Sequence, residues 1–322
     1  GEALVDQIIT SPDGNCKNYL GGAPANVACA LSKLGIETEF VGCLGDDVFG
    51  KEFMNLFRDL EVNIQSIQIE KNYSTRIIKV CIDEDGDRSF SGFANSQKNF
   101  ADEMLDIKIF ERDKIYLQNL FKETKFFITG TNLLASNKSS EALLFLIENA
   151  IKSGVSIVID ANWREIFWDN LNKPLPLQRN KHLQKIKKFL LYGDILKLSN
   201  EEAILFFGND NPSQISQSLA KKPDVIITNG DKPIHWFING IQDITKVLKS
   251  PRIVDTTGAG DSFLAGFISR FLNSKKDSDK ESLNKHIQFA STCGLISCLG
   301  EGAIEPQPNI KNVQDFLKSY GS

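Results

Sequence analysis

Histidine, methionine and tryptophan are scarce in this chain of 322 residues, which holds three, two and three of them respectively. No histidine lies near another or near a cluster of cysteines, so a transition-metal centre built on nitrogen and sulfur ligands is not expected. The six cysteines, Cys16, Cys29, Cys43, Cys81, Cys293 and Cys298, form no CxxC pair. Several sit inside apolar runs and read as reduced core residues, which places the chain in the cytoplasm. A run of about 20 apolar residues is lacking, so no membrane span is expected. Positive charge is not in excess either. The formal net charge is -4 and the pI about 5.6, which gives no support to a nucleic-acid or anionic-membrane partner. No charged segment leads into an apolar core as in a signal peptide. Gly1 to Val5 reads as the exit of a strand whose first residues are missing.

What is present is an ordinary globular composition, 41% hydrophobic and 24% charged. Gly21 to Gly35 predicts a helix, with Pro24 near its start, Val27, Ala30, Leu31 and Leu34 at helical spacing, and Gly35 as the stop. A strand over Thr38 to Leu44 and a helix with Phe49, Phe53, Leu56, Phe57 and Leu60 on one face follow. The pattern then changes. Ile77 to Ile82, the turn Asp83 to Gly86, and Arg88 to Phe93 predict a β-hairpin with no helix between its strands. Alternation returns with strands near Lys125 to Thr129, Val155 to Asp160, Ile195 to Leu198 and Asp224 to Thr228. Helices are expected near Lys138 to Ser153, Glu201 to Phe207 and Gln214 to Ala220. Asn170 to Asn180, with two prolines, reads as a surface loop, and Lys275 to Lys285 as a solvated charged segment. The series predicts an α/β, Rossmann-like fold: a mainly parallel central sheet with helices on both faces, and ligands at the carboxyl ends of its strands. The hairpin stands out from it as a small β lid.

The stretch Ile253 to Gly266 reads as a strand, a Gly258-Ala259-Gly260 turn and a helix start at Asp261. A helix start offers unpaired N–H groups and the positive end of the helix dipole, and glycines let an anion approach the backbone. Asp261 repels an anion but is well placed to take a proton from an attacking hydroxyl. Phosphoryl transfer to an alcohol fits both features. An ordinary βα turn with Asp261 as a helix cap fits the hexapeptide alone equally well. A dinucleotide fingerprint fails, because its third glycine is Phe263. Gly45 to Lys51 matches the spacing of a P-loop, but Glu52 follows where a hydroxyl should meet magnesium, and Asp46 and Asp47 occupy the loop.

Several motifs agree in order: Gly1 to Asp6, Gly21 to Ala28, Gly42 through Gly50, Asp160 with Asn162, Arg164 and Trp168, and Asp255 to Phe263. On these the chain resembles the ribokinase, or PfkB, family of carbohydrate kinases, and within it the fructokinases, from the first residue to about Pro308. The resemblance implies a single domain over residues 1–322, with a lid formed by about 8–20 and 74–97. It implies transfer of a phosphoryl group from ATP to a free sugar hydroxyl, most similar to conversion of fructose to fructose 6-phosphate. It assigns Asp261 as the base and Gly258, Ala259 and Gly260 as the anion hole. Asp6, Gly21, Gly22, Asn26, Arg88, Phe93 and Arg164 would meet the sugar. Asp6 accepts from two hydroxyls and Asn26 both donates and accepts, though each residue alone could equally serve its own strand or helix. Arg164 fits the substrate, the phosphates or a structural carboxylate.

Ser199, Glu202, Thr228 and Gly230 would lie with Gly258 and Gly260 at the nucleotide. Glu202 stands near Mg²⁺, while Ser199 replaces the asparagine of the family's NxxE motif. Asp255 would hold a monovalent cation such as K⁺, or cap the turn. The lid departs from many fructokinases, with Ala94, Asn95 and Ser96 where an arginine and proline are common, and Ser291 stands where an asparagine is common near the adenine. Lids of this family pair between subunits, so a homodimer through the lid is expected. Kinases of 2-keto-3-deoxygluconate, ribose or a nucleoside, and a non-catalytic sugar or nucleotide sensor, are the competing readings.

Overall fold

Strands covered on both faces read as continuous apolar runs, and Ser156–Asp160 and Ile195–Ser199 are of that kind. The computed structural model describes residues 1–9, 16–82, 88–94, 99–168, 176–250, 252–272 and 279–320, with backbone alone at 9, 81, 82 and 88–91. The chain begins with β1 (Leu4–Ile9), β2 (Cys16–Gly21), α1 (Ala23–Lys33), β3 (Gly42–Gly45), α2 (Val48–Asp59) and β4 (Ile67–Glu70). The hairpin β5 (Ile77–Ile82) and β6 (Arg88–Phe93) leads to α3 (Ile107–Arg112), α4 (Lys114–Glu123) and β7 (Phe126–Thr129). Then come α5 (Asn137–Lys152), β8 (Ser156–Asp160), α6 (Pro176–Leu190), β9 (Ile195–Ser199), α7 (Asn200–Phe207) and α8 (Pro212–Ser218). The last part supplies β10 (Asp224–Thr228), β11 (Ile234–Ile238), β12 (Ile241–Thr245), α9 (Ala259–Phe271), α10 (Lys280–Ser297) and α11 (Ile310–Tyr320).

Six strands form the central sheet in the order β12-β11-β10-β9-β8-β7. β7 to β10 are mutually parallel, and β11 and β12 close the far edge antiparallel. Alternate residues of each strand take opposite faces. Ile157, Ile159, Leu196, Leu198, Val225 and Ile227 pack with Leu143, Leu146, Ile186, Phe189, Phe206 and Ile215 from α5 to α8. Val158, Ile195, Ile226 and Trp236 pack on the other side with Leu31, Leu264, Phe267, Ile287 and Val313 from α1, α9, α10 and α11. Each such side chain contributes roughly 1.5–3 kcal/mol when fully buried, and Trp236 satisfies its Nε1–H on Thr245 Oγ1 at 2.9 Å. The polar residues Asp160, Ser199 and Thr228 close β8, β9 and β10, so the carboxyl end of the sheet is the place for a cleft.

A second sheet, β2-β1-β5-β6, lies over this end. β1 runs antiparallel to β2 and parallel to β5, and β5 is antiparallel to β6. Its apolar face buries Leu4, Ile8, Ile78 and Val80 against Phe167, which follows β8. The third, two-stranded sheet pairs β3 with β4 in parallel.

Several boundaries differ from expectation. The strand expected over Thr38 to Leu44 is β3, Gly42–Gly45, because among the described residues it is β4, whose register begins at Ile67, that it pairs with; Glu39 makes an isolated bridge to Asn63. The loop expected over Asn170 to Asn180 gives way to α6 at Pro176, since a proline suits the first helical position. Residues 169–175 lie outside the described residues. The helix expected over Gln214 to Ala220 starts earlier, at Pro212, where Asn211 caps it by accepting from the N–H groups of Ser213 and Gln214. Of the charged segment expected over Lys275 to Lys285, residues from Lys280 onward are the start of α10. Ile253 and Val254 join no ladder; Val254 N donates instead to Cys298 O, at the end of α10, at 2.8 Å.

Candidate active site

The Gly258 turn closes tightly because glycine is required twice over. Its φ is 74°, in the left-handed region, and a Cβ there would stand 2.8 Å from Ala303 Cβ and 2.9 Å from Ala303 O. Helix α9 starts at the next residue, so its first-turn N–H groups face the cleft end of the sheet. Of the expected anion-hole amides, Ala259 N donates to Thr256 O at a long 3.3 Å. Asp255 braces this turn: its Oδ1 accepts from Thr257 N at 2.8 Å and its Oδ2 from Gly302 N at 3.0 Å.

The opposite wall is the start of α1. Gly22 has φ 98°, and a Cβ there would lie 2.8 Å from Glu2 O, so the chain turns into α1 only with glycine at this point. Asn26, one turn into the helix, donates from Nδ2 to Asp261 Oδ2 at 2.7 Å across 235 residues of sequence. Gln307 Nε2 holds the Asn26 carbonyl at 3.0 Å, which fixes this helix turn. Asn26 Oδ1 is buried with no hydrogen-bond partner among the described residues. Asp6 Oδ2 lies 3.0 Å, and Asn26 Oδ1 3.8 Å, from the point where a side chain on Gly21 would begin. Asp6, Gly21, Asn26 and Asp261 therefore surround one small polar space. A cavity of about 900 Å³ lies elsewhere, walled by residues such as Val27, Leu31, Phe40, Phe126 and Ile128 and by none of the expected site residues.

Burial pushes the Asp261 carboxyl up to about 7, and the nearby Asp160 carboxylate adds to the effect; the Asn26 hydrogen bond, Lys197 and Arg164 oppose it. A carboxylate near neutrality is poised to accept and release a proton at working pH. Residues 1–310 match the model of the pfkB family of carbohydrate kinases. The chain belongs to that family. It is 30% identical over 312 residues to a probable fructokinase-5 of Arabidopsis thaliana, covering 93% of this chain and 88% of the relative. The fructokinase of Xylella fastidiosa with bound ATP has a TM-score of 0.86 and 25% identity, covering 100% of this chain and 98% of that one. The fructokinase of Vibrio cholerae O395 in a form with fructose, ADP and calcium ion has a TM-score of 0.82 and 25% identity, covering 98% and 97%.

In this pfkB kinase the residues expected at the nucleotide have structural partners too. Ser199 caps α7: its Oγ accepts from Glu202 N at 3.2 Å, while Glu202 Oε2 accepts from Ser199 N at 2.8 Å, a capping box. Glu202 Oε1 accepts from Trp163 N at 2.6 Å. Burial first, then Asp160, pushes the Glu202 carboxyl above its ordinary range. Thr228 lies opposite Ser199 in the parallel ladder, and Gly230 follows with φ 56°. Both stand at the carboxyl edge where β9 and β10 end.

The remaining expected residues separate. Arg164, in the loop after β8, is exposed and adds positive charge near Asp261. The ring of Phe93 is committed elsewhere, its centroid 5.1 Å from that of Phe100 and 5.2 Å from the guanidinium of Arg76. Arg88 lies on β6, but its side chain is outside the described residues, as are Asn95 and Ser96.

Lys197 was not among the residues expected here. Its Nζ is 2.7 Å from Asp160 Oδ2 and 3.1 Å from the position a Cβ would take on Gly260. A lysine inside the apolar run Ile195 to Leu198 was the available signal, since an unpaired buried ammonium is strongly disfavoured.

Proposed function

We propose that this kinase transfers the γ-phosphoryl group of ATP to O6 of fructose. The observation that carries the reading is the 2.7 Å hydrogen bond from Asn26 to Asp261, which joins the polyol-binding wall to the late glycine turn. Asp6 and the unpartnered Asn26 Oδ1 would accept from sugar hydroxyls. Asp261 would take the proton of the attacking hydroxyl, and the amides at the start of α9 would stabilise charge on the transferring group. Ser199, Thr228 and Gly230 would border the nucleotide. The ATP and fructose named in the two fructokinase structures support both ligands.

Glu202 fits a hydrated Mg²⁺, because each of its oxygens accepts one backbone N–H and keeps a further lone pair for a metal-bound water. The ion would offset charge on the phosphates. Asp255, whose two oxygens each accept a backbone N–H beside the glycine turn, would help to hold a monovalent cation such as K⁺. The four-stranded sheet, to which the described strands within about 8–20 and 74–97 belong, would act as a lid that excludes water. Its outer strands β2 and β6 each pair on one side only among the described residues, which suits a homodimer through the lid. The reduced cysteines suit a cytoplasmic enzyme, and no helix among the described residues is long and apolar enough to cross a membrane.

ADP release measured with fructose, ribose, glucose and 2-keto-3-deoxygluconate tests the substrate, with the highest kcat/KM expected for fructose. Asp261→Asn should keep fructose binding while kcat falls by roughly 10²–10⁴-fold. Equal turnover by that variant removes the base, and a higher kcat/KM for another sugar removes fructose.

A further inference from the structure

Three carboxylates meet one ammonium beneath the Gly258 turn. Asp160 ends β8, Lys197 stands directly opposite it in the β8–β9 register, and Glu202 and Asp261 lie in the first turns of α7 and α9. Their exposures are 5%, 6%, 8% and 9%, so water does little to screen them. Register alone places Asp160 and Lys197 side by side on the face that α9 covers. The Lys197 ammonium occupies the space that any side chain at Gly260 would need. Among the described residues Asp160 Oδ1 has no hydrogen-bond partner, so the pair does not exhaust the local negative charge.

We propose that Lys197 is a positioning residue for the base: held by Asp160 under the glycine turn, it is the buried cation that lets Asp261 carry negative charge beside two other carboxylates. The proposal rests on the reading of Asp261 given above. The charged and polar groups around Asp261 are Asp160 from β8, Arg164 from the loop after it, Lys197 from β9, Glu202 from α7, Asp6 from β1 and Asn26 from α1. Arg164 is exposed and screened, whereas Lys197 is buried and fixed. Burial works against the Lys197 charge, but Asp160 first, then Asp261 and Glu202, hold the ammonium above its ordinary range. The Asp261 carboxyl in turn feels Asp160 pushing it up and Lys197 holding it down.

The two members of the pair therefore act on Asp261 with opposite sign. Lys197→Met keeps an unbranched side chain, one atom shorter, and removes its charge, leaving Asp160 unopposed. Asp160→Asn removes the repulsion and leaves the ammonium to Asp261 and Glu202. Loosened packing would move both variants the same way, so the sign separates an electrostatic role from a structural one.

The test is the pH dependence of kcat with fructose for the parent, Lys197→Met, Asp160→Asn, Lys197→Arg and the double variant. It is joined to a ¹³C NMR titration of aspartate carboxyls in which Asp261→Asn assigns the signal. Lys197→Met should move the acidic limb up by about 1–3 pH units, the size of effect an adjacent opposite charge exerts, with little change in the KM for fructose. Asp160→Asn should move it down, the double variant should return it close to the parent, and Lys197→Arg should hold it there. An unmoved limb in Lys197→Met, or the same direction in both single variants, overturns the proposal. Should Lys197→Met fail to fold, Asp160→Asn and the double variant still decide it. Should Asp261→Asn turn over normally, the reading of the base fails, while the NMR titration still reports whether Lys197 sets the charge of Asp261.

Discussion

Two buried ion clusters in this molecule are built from the same kinds of group and are finished differently. Arg76, just before β5, binds Asp102 from Nε at 2.9 Å and from Nη2 at 3.1 Å, and Nη2 also reaches Glu103 Oε1 at 2.6 Å. The rings of Phe100, Phe167 and Phe93 enclose its guanidinium at 4.4, 4.8 and 5.2 Å. Both carboxylates touch the cation directly, and the one guanidinium nitrogen without an acceptor, Nη1, belongs to a group ringed by aromatic faces. At Lys197 only Asp160 touches the cation. Glu202 is held by backbone amides and Asp261 by Asn26, and one oxygen of Asp160 is bare. A closed cluster holds two segments together. An open one, with negative charge in excess at the cleft, is set up for a proton and for cationic ligands.

Breaking each cluster should therefore give different results. Arg76→Met strands the buried Asp102 and the half-buried Glu103 and should cost about 3–5 kcal/mol of stability, the range for removing one partner of a buried pair. Urea denaturation measures it. A loss under about 1 kcal/mol would mean that the cage of rings, not the ion pairs, holds the segment around Arg76, and the contrast with Lys197 would lose its basis.

The alternation of strands and helices was readable because periodicity is a property of neighbours in sequence. The hairpin β5–β6, the strands ending at Asp160 and Thr228, and the glycine turn before α9 all appear where local pattern predicts them. Proline misled in the Asn170 to Asn180 segment: Pro176 opens a helix, as Pro212 does, where the missing N–H has no intrahelical partner to lose. Lys197 escaped because its meaning depends on Asp160, on a separate strand and 37 residues away. Phe93, expected at the sugar, packs its ring with Arg76 and Phe100, contacts that span 17 and 7 residues of sequence. Which face of β6 meets the cleft depends on register with β5, where the ladder shifts between Lys79 and Val80.

A second prediction reverses the sign of the first. The Asp261 carboxyl ionises at about 3.8 when unfolded and about 7 when folded, so the folded state binds the extra proton across that window. Stability from this group is lost as pH rises from about 4 to 7, and the loss is complete above 7. Asp261→Asn keeps an oxygen for the Asn26 hydrogen bond and removes the ionisation. Near pH 8 it should stabilise the protein by on the order of 1–4 kcal/mol, with the gain vanishing below about pH 4. Removing charge from the closed cluster destabilises; removing it from the open one stabilises. Thermal unfolding of the variant against the parent at the two pH values measures the difference, and destabilisation at both would place Asp261 among the structural pairs.

The smallest effect marks where the open cluster ends. Ser199 stands beside Glu202, and its hydroxyl accepts from the Glu202 amide as a helix cap. If capping is its whole contribution, Ser199→Ala should cost roughly 0.5–2 kcal/mol, the usual value of such a cap, while the KM for ATP stays within about twofold, a change in binding free energy of under about 0.5 kcal/mol. The Glu202 carboxylate would keep its bonds to the amides of Ser199 and Trp163, so the charge near the phosphates would be unchanged. A KM for ATP raised about tenfold with stability intact would instead put the Ser199 hydroxyl in contact with the nucleotide. The region of the sheet edge that binds ligand would then extend from Glu202 to the start of α7.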